Sequence, residues 1–249
     1  MNKDQVSSSY IETTKTHHAN KPLATKRRAI VVGADFDETK FRTNIGAAIA
    51  KAIPFSLTSQ LDVNSPYDEF GKGADVLILA NGYTSLNWFE DQEDHEIEKM
   101  FNVNVVGSLK TARRFVTNTI NASYKKYIVF IGSMAYCNVL NGSLPYCAAK
   151  AALAHAAKCM AWELAPKGYN VFCVHPSNTE GTPMTEQTII DLMRYRGLTR
   201  EEAENYWGAI LPKAQWLQPE EIADTVSFLI SGKADYLSGS NIHMAGGQR

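Results

Sequence analysis

Tyr146 and Lys150 stand four apart in the run SLPYCAAKAALAHAAKCMAWELA, and Ser133 precedes Tyr146 by thirteen positions. A spacing of four puts a phenol and an ammonium on one face of a helix, about one turn apart. Ser133 follows the apolar run KYIVFIG at 126–132, which reads as a buried strand, and open α/β sheets place their ligands at the carboxyl ends of such strands. The three groups are therefore expected to face one crevice. A carbonyl that accepts hydride develops negative charge on oxygen and needs a hydrogen-bond donor and a proton source there. Tyr146 can supply the proton and Ser133 the hydrogen bond. A phenol ordinarily titrates near about 10, and a cation as close as Lys150 is expected to stabilise phenolate and move that value toward neutral pH.

Such groups need a scaffold to hold them. From Arg28 onward the apolar runs AIVVG at 29–33, DVLILA at 75–80, KYIVFIG and NVFCVH at 170–175 alternate with helical patterns. Helices are expected at about 44–53, 92–121, 145–166 and 219–231, with one or two more between 184 and 210. Strands apolar almost throughout are covered on both faces, which argues for a parallel sheet between two helical layers. The expected fold class is α/β, a single-domain Rossmann-type doubly wound parallel sheet. No repeat, linker or composition break divides residues 27–249. Residues 1–26 are polar, without periodicity, and read as a flexible arm.

The first strand ends at Gly33, and Asn44, Ile45 and Gly46 open the next helix, where a glycine-rich turn and helix amides would meet a pyrophosphate. The loop between, Ala34 to Thr43, is longer than the tight glycine turn. Asn44 stands where a middle glycine belongs, and asparagine tolerates positive φ. Lys40 and Arg42 could meet a phosphate there, while Asp35, Asp37 and Glu38 would repel one. At the end of the 75–80 strand, Ala80, Asn81 and Gly82 offer a small, flexible turn against which an adenosine ribose could pack.

Composition narrows the class of partner. A formal net charge of -1 over 249 residues gives no reason to expect nucleic acid or an acidic membrane, and no apolar run approaches the roughly 18 residues of a membrane span. The four cysteines lack metal-type spacing, so reduced thiols in a cytoplasmic protein, with no metal, are expected. A small-molecule ligand fits best.

From Ala29 to Gly247 these motifs, together with FNVNVVG at 101–107, resemble the short-chain dehydrogenase/reductase family. The resemblance implies an NAD(P)-dependent oxidoreductase that transfers a hydride between a nicotinamide cofactor and a carbonyl or alcohol. It implies Tyr146 as general acid/base, Ser133 as carbonyl-orienting donor, and Lys150 as a further ligand of the nicotinamide ribose. Asn104, in Asn-x-x-Gly, looks like the residue whose local helix distortion links Lys150 to solvent. Pro176 is followed by Ser177 where the family commonly has glycine, and Thr179 and Thr182 are rivals for the carboxamide contact. The PEEIADTVSFLISGKADYLSGSNIHMAGG end resembles the family's last helix and strand, with Ala245 in place of a usual acid.

The second strand, at about 54–58, is expected to run almost directly into LDV at 61–63, with an intervening helix lost. The family resemblance implies Asp62 and Val63 at the adenine. Leu57, Thr58 and Ser59 offer no acid to hold free ribose hydroxyls, which tips the choice to NADP(H) over NAD(H), with Thr58, Ser59 and Arg42 as phosphate partners. The amphipathic stretch 183–215 reads as a substrate lid or as a helix pair packed on the core. Its apolar face, with Trp88, Met134 and Tyr136, suggests a partly hydrophobic substrate. The alanines of the 145–166 helix permit close helix contact, within the monomer or between copies, and the resemblance implies a homodimer or homotetramer built on this helix and the 92–121 helix. The competing reading is a non-catalytic NADP(H)- or metabolite-sensing protein of the same fold, and an epimerase or dehydratase with tightly held NAD ranks behind both.

Overall fold

A computed structural model describes residues 28–33, 44–53, 56–59, 70–208, 213 and 215–247, with backbone alone for 56–59, 207 and 208. The arm at 1–26, the loop at 34–43, and Asp62 and Val63 with the rest of 60–69 lie outside the described residues.

Six parallel strands form one sheet in the order β2-β1-β3-β4-β5-β6. They are β1 (Ala29–Val32), β2 (Ser56–Ser59), β3 (Val76–Leu79), β4 (Lys126–Ile131), β5 (Tyr169–Pro176) and β6 (Asn241–Met244). The chain leaves β1 toward β2 on one side and returns to β3 on the other, so the order reverses beside β1. That reversal opens a crevice at the carboxyl ends of the strands, where doubly wound sheets bind ligands. The expected fold class is the one observed.

Strand periodicity explains why these runs carry no polar face. Ala29, Val31, Val76, Ile78, Tyr127 and Val129 point into one core, against Ile49 of α1 (Ile45–Ala52) and Ile222 and Val226 of α7 (Pro219–Leu229). Their neighbours Ile30, Val32, Leu77, Leu79, Ile128 and Phe130 point into a second core, against Phe115 of α3 (Ser108–Thr119) and Leu153, Ala157 and Leu164 of α4 (Leu144–Leu164). With alternate residues buried on opposite faces, an apolar residue is needed at every position.

The 92–121 helix is interrupted. It comprises α2 (Asp94–Phe101), a π-helical turn over Asn102–Gly107, and α3. A π turn widens the i to i+4 ladder locally and is most often found at functional sites. Along α4 the buried positions Tyr146, Ala149, Lys150, Leu153, Ala154, Ala157, Ala161 and Leu164 recur every three or four residues, so one stripe carries both the packing surface and the two polar side chains. Two helices fill the 184–210 interval, α5 (Pro183–Arg196) and α6 (Arg200–Gly208). Helix α5 starts on Thr182, whose hydroxyl accepts from Thr185 N–H, and ends at Gly197 in the left-handed region.

Candidate active site

A cavity of about 560 Å³ runs along the carboxyl edge of the sheet. Gly33, Asn44, Ile45, Ala80, Asn81, Gly82, Ser133, Tyr146, Pro176, Thr179 and Thr182, all singled out from sequence, line it. Gly46 is buried in the first turn of α1 beside it. Thr58 and Ser59 lie on β2, whose side chains are not described, and Arg42 lies outside the described residues.

At one end, β1 and β3 approach closely. Gly33 has φ +81°, and a Cβ there would stand 2.6 Å from the Asn81 backbone nitrogen, so only glycine fits the turn. Asn44 behaves differently from expectation. Its φ of -79° and ψ of 166° are extended, and its side chain accepts from Ala47 N–H at 2.7 Å. The residue is used as a helix cap, which requires the extended region, and not for positive φ. Helix α1 carries no acidic residue in its first turn, so its amino end presents an uncompensated positive dipole to the cavity.

Asn81 and Asn104 tie this end to the middle of the site. Asn81 Nδ2 donates to the Val103 carbonyl at 2.8 Å, across to the π turn. Asn104 is fully buried. Its amide nitrogen donates to the carbonyls of Tyr83 (2.7 Å) and Met100 (2.9 Å), and its oxygen accepts from Tyr83 N–H at 3.2 Å. A Cβ on Gly82 would lie 3.4 Å from Asn104 Oδ1 and 3.7 Å from Lys150 Nζ, so the three residues meet at one point.

At the other end stand Ser133, Tyr146 and Lys150. Lys150 Nζ donates to the Ile131 carbonyl at 3.1 Å and lies 5.7 Å from the centre of the Tyr146 ring. The Tyr146 hydroxyl donates to Met184 Sδ at 3.7 Å, and Ser133 Oγ accepts from Ala135 N–H at 3.2 Å. Burial pushes the Tyr146 phenol up to about 12, opposed by its hydrogen bond with Ser133. Burial likewise pulls the Lys150 ammonium down to about 8. The expectation that Lys150 brings the phenol toward neutral pH is thus corrected. In this enclosed site desolvation of the phenolate outweighs the hydrogen bond that would stabilise it.

The cavity around Ser133 and Tyr146 mixes apolar and polar walls. Leu86, Met134, Leu140, Met184 and Trp216 supply the apolar part, and Asn138, Ser143 and Thr188 the polar part. Of the three residues expected beside the lid, only Met134 lines the cavity. Trp88 packs edge-on against Tyr195, and Tyr136 stacks on His175 behind the site. The first turns of α5 form a wall through Pro183, Met184, Thr185 and Thr188. Asp191, which sequence reading passed over, receives the Leu86 N–H at 2.9 Å, while Arg194 donates to the Leu86 carbonyl at 3.1 Å. A lone aspartate inside an amphipathic helix carries no signal of such a contact 105 residues away.

The residues present fit a dinucleotide. The Gly33 cradle and the α1 amino end suit a pyrophosphate, and the buried Ser177 Oγ, which has no partner in the structure, is a group that a polar ligand would satisfy. Among the described residues no cluster of His, Cys, Asp or Glu could hold a metal ion, and no helix is long and apolar enough to cross a membrane.

Comparison with known proteins points the same way. Residues 22–249 match a family profile described as enoyl-(acyl carrier protein) reductase. The chain is 27% identical over 173 residues to the 3-oxoacyl-(acyl-carrier-protein) reductase of Rickettsia felis, covering 70% of this chain and 66% of that protein, so it spans slightly less than two thirds of that relative's length. It is 31% identical to the NADH-dependent L-xylulose reductase of Ambrosiozyma monospora, over 72% of this chain and 64% of that one. Its fold superposes on actinorhodin polyketide ketoreductase with NADPH at a TM-score of 0.78 and 21% identity, over 90% of this chain and 98% of the other. A profile matched over nearly the whole chain, on a parallel sheet whose helix α4 buries Tyr146 and Lys150 one turn apart, establishes that the chain belongs to the short-chain dehydrogenase/reductase family.

Proposed function

We propose that this chain is an NAD(P)-dependent oxidoreductase that transfers a hydride between a nicotinamide cofactor and a carbonyl or alcohol substrate. The observation that carries this reading is one continuous cavity, with the Gly33 cradle at one end and Ser133 and Tyr146 at the other. When bound, the nicotinamide group supplies or receives the hydride. Gly33, Asn44, Ile45, Gly46, Ala80, Asn81 and Gly82 would hold the dinucleotide, with Lys150 at the ribose and Pro176 and Thr179 or Thr182 at the carboxamide.

The protein's own groups manage the proton. Ser133 donates a hydrogen bond to the substrate oxygen and the Tyr146 hydroxyl gives its proton to that oxygen as charge develops. With the phenol held up to about 12 and the lysine at about 8, the resting pair at neutral pH is tyrosine protonated and lysine charged. That is the combination needed for carbonyl reduction: the acid is loaded, and the ammonium is ready to stabilise the phenolate left behind. Asn104, locked in the π turn beside Lys150, organises the route by which the proton returns.

The mixed walls suit a partly hydrophobic carbonyl compound, with α5 and α6 serving as the lid. NADP(H) is favoured over NAD(H) because Leu57-Thr58-Ser59 supplies no acid to bind free ribose hydroxyls. Exposed Trp162 on α4 and Val106 in the π turn support a homodimer or homotetramer built on these helices. Four free thiols suit the cytoplasm. The test is titration with NADPH and NADH, followed by reduction of a panel of ketones and aldehydes by wild type and Tyr146→Phe. Binding with turnover that falls about 10²–10⁴-fold in the variant supports the reading. Failure to bind either nucleotide overturns it, and binding without turnover would favour the sensor.

A further inference from the structure

Behind Ser133, on the side away from the cavity, lies a buried histidine that the chemistry above does not use. His175, the penultimate residue of β5, is fully excluded from solvent. An imidazole so enclosed must find partners for both nitrogens. Nδ1 lies 3.3 Å from the Ser133 backbone nitrogen and 3.1 Å from the Ser133 carbonyl oxygen. Nε2 lies 3.1 Å from Asn241 Oδ1, on β6.

The two contacts at Nδ1 ask opposite roles of one atom, and the backbone chooses between them. The direction of the Ser133 N–H is fixed by its peptide plane, and it points at Nδ1. Nδ1 therefore accepts, the ring proton sits on Nε2, and Nε2–H donates to Asn241 Oδ1. The far end of the same turn rests on the same ring. Tyr136 stacks on His175 with centroids 4.0 Å apart and planes 29° from parallel, and its hydroxyl lies 2.5 Å from His243 Nε2. Gly132 makes room for the arrangement, since a Cβ there would stand 2.5 Å from His175 Nδ1.

We propose that His175, oriented by Asn241, is the positioning residue for Ser133. It grips the 133–136 turn at both ends, so that Ser133 Oγ faces Tyr146 and Met134 faces the substrate. The proposal rests on the reading of Ser133 as the donor to the substrate carbonyl. The groups facing the ring are Ser133, Tyr136, Cys173, Asn241, His243 and Lys150. Burial lowers the histidine's affinity for a second proton, and the charges of His243 and Lys150 lower it further, against the pull of two acceptors, Asn241 Oδ1 and the Ser133 carbonyl oxygen. An added proton on Nδ1 would also meet the Ser133 N–H head on. The ring stays neutral and the grip holds.

The experiment compares wild type, His175→Ala and His175→Asn, because asparagine keeps an acceptor, Oδ1, at the position of the ring Nδ1. In the wild type, 15N-histidine NMR is expected to show His175 as the neutral Nε2–H tautomer. For His175→Ala, kcat for carbonyl reduction is expected to fall by about 10- to 100-fold, as for a reacting group displaced by about an ångström. NADPH affinity should stay within about threefold, and the Ser133 amide should exchange faster with solvent. His175→Asn should restore both kcat and amide protection in part. An Nδ1–H tautomer in the wild type, or a kcat within twofold of wild type in His175→Ala, overturns the proposal. So does a fall in kcat matched by an equal loss of NADPH affinity in both variants. If the wild type reduces no carbonyl, the functional reading fails on that result alone, while tautomer and amide exchange still decide whether His175 holds Ser133.

Discussion

Lys150 Nζ hydrogen-bonds to the Ile131 carbonyl at 3.1 Å and lies 5.7 Å from the centre of the Tyr146 ring, so β4 anchors the ammonium beside the phenol. The ammonium is held where it can stabilise a phenolate once one forms, but burial keeps the phenol protonated until then. This is an arrangement for delivering a proton, and it sets the first prediction.

The rate of carbonyl reduction should depend on Lys150 remaining charged. Its folded value is about 8, so kcat/KM, which reports the free enzyme, should be flat at neutral pH and fall as pH rises through about 8. A pH profile measured at substrate well below KM checks this. A rate that climbs through the same range would mean the neutral lysine is the active form.

Stability should move in the opposite sense. Lys150 binds its proton more weakly when folded (about 8) than when unfolded (10.5), so between those values the unfolded chain holds more protons and stability rises with pH. Lys150→Met should remove this rise and gain about 1–3 kcal/mol at pH 7, while abolishing turnover. Urea unfolding at pH 7 and pH 10 distinguishes the two proteins.

Asn104→Ala should destabilise the fold by about 2–3 kcal/mol, because Tyr83 and Met100 lose the partner of a fully buried amide. Asn104→Asp should be no better, since an ionised carboxylate cannot donate to either carbonyl. Thermal unfolding of the three proteins gives the answer directly.

Asp191 and Arg194 hold both polar atoms of the Leu86 peptide, and Leu86 is a wall of the substrate end. Asp191→Ala should raise KM for the carbonyl substrate by about 5- to 20-fold, consistent with loss of a buried charge-assisted hydrogen bond, and leave NADPH binding within about twofold. Equal effects on both ligands would show that α5 does more than shape the substrate end.

Gly33→Ala should cost about 1–3 kcal/mol through its positive φ and push the β1 and β3 ends apart. NADPH affinity should fall by more than about 10-fold. Isothermal titration of the variant tests whether this close approach belongs to the cofactor site.

The chemistry-bearing residues were legible in the sequence where backbone geometry alone sets their relation. Tyr146 and Lys150 share a face because a helix repeats every 3.6 residues, and Ser133 reaches the crevice because a strand must end there. The continuous apolar runs announced a sheet covered on both faces for the same local reason. Asn44 shows the limit of that method. Its residue type suited a positive φ and a helix cap equally, and only the path of the chain into α1 selected the cap.

What tertiary structure decided are the relations between residues distant in sequence. His175 meets Ser133 across 42 positions, Leu86 meets Asp191 across 105, and the direction of the Tyr146 shift is set by what encloses it. Local spacing follows from bond geometry that every helix and strand shares. Contact across the sheet, and the loss of water that retunes a phenol or a lysine, exist only once the layers have closed on one another.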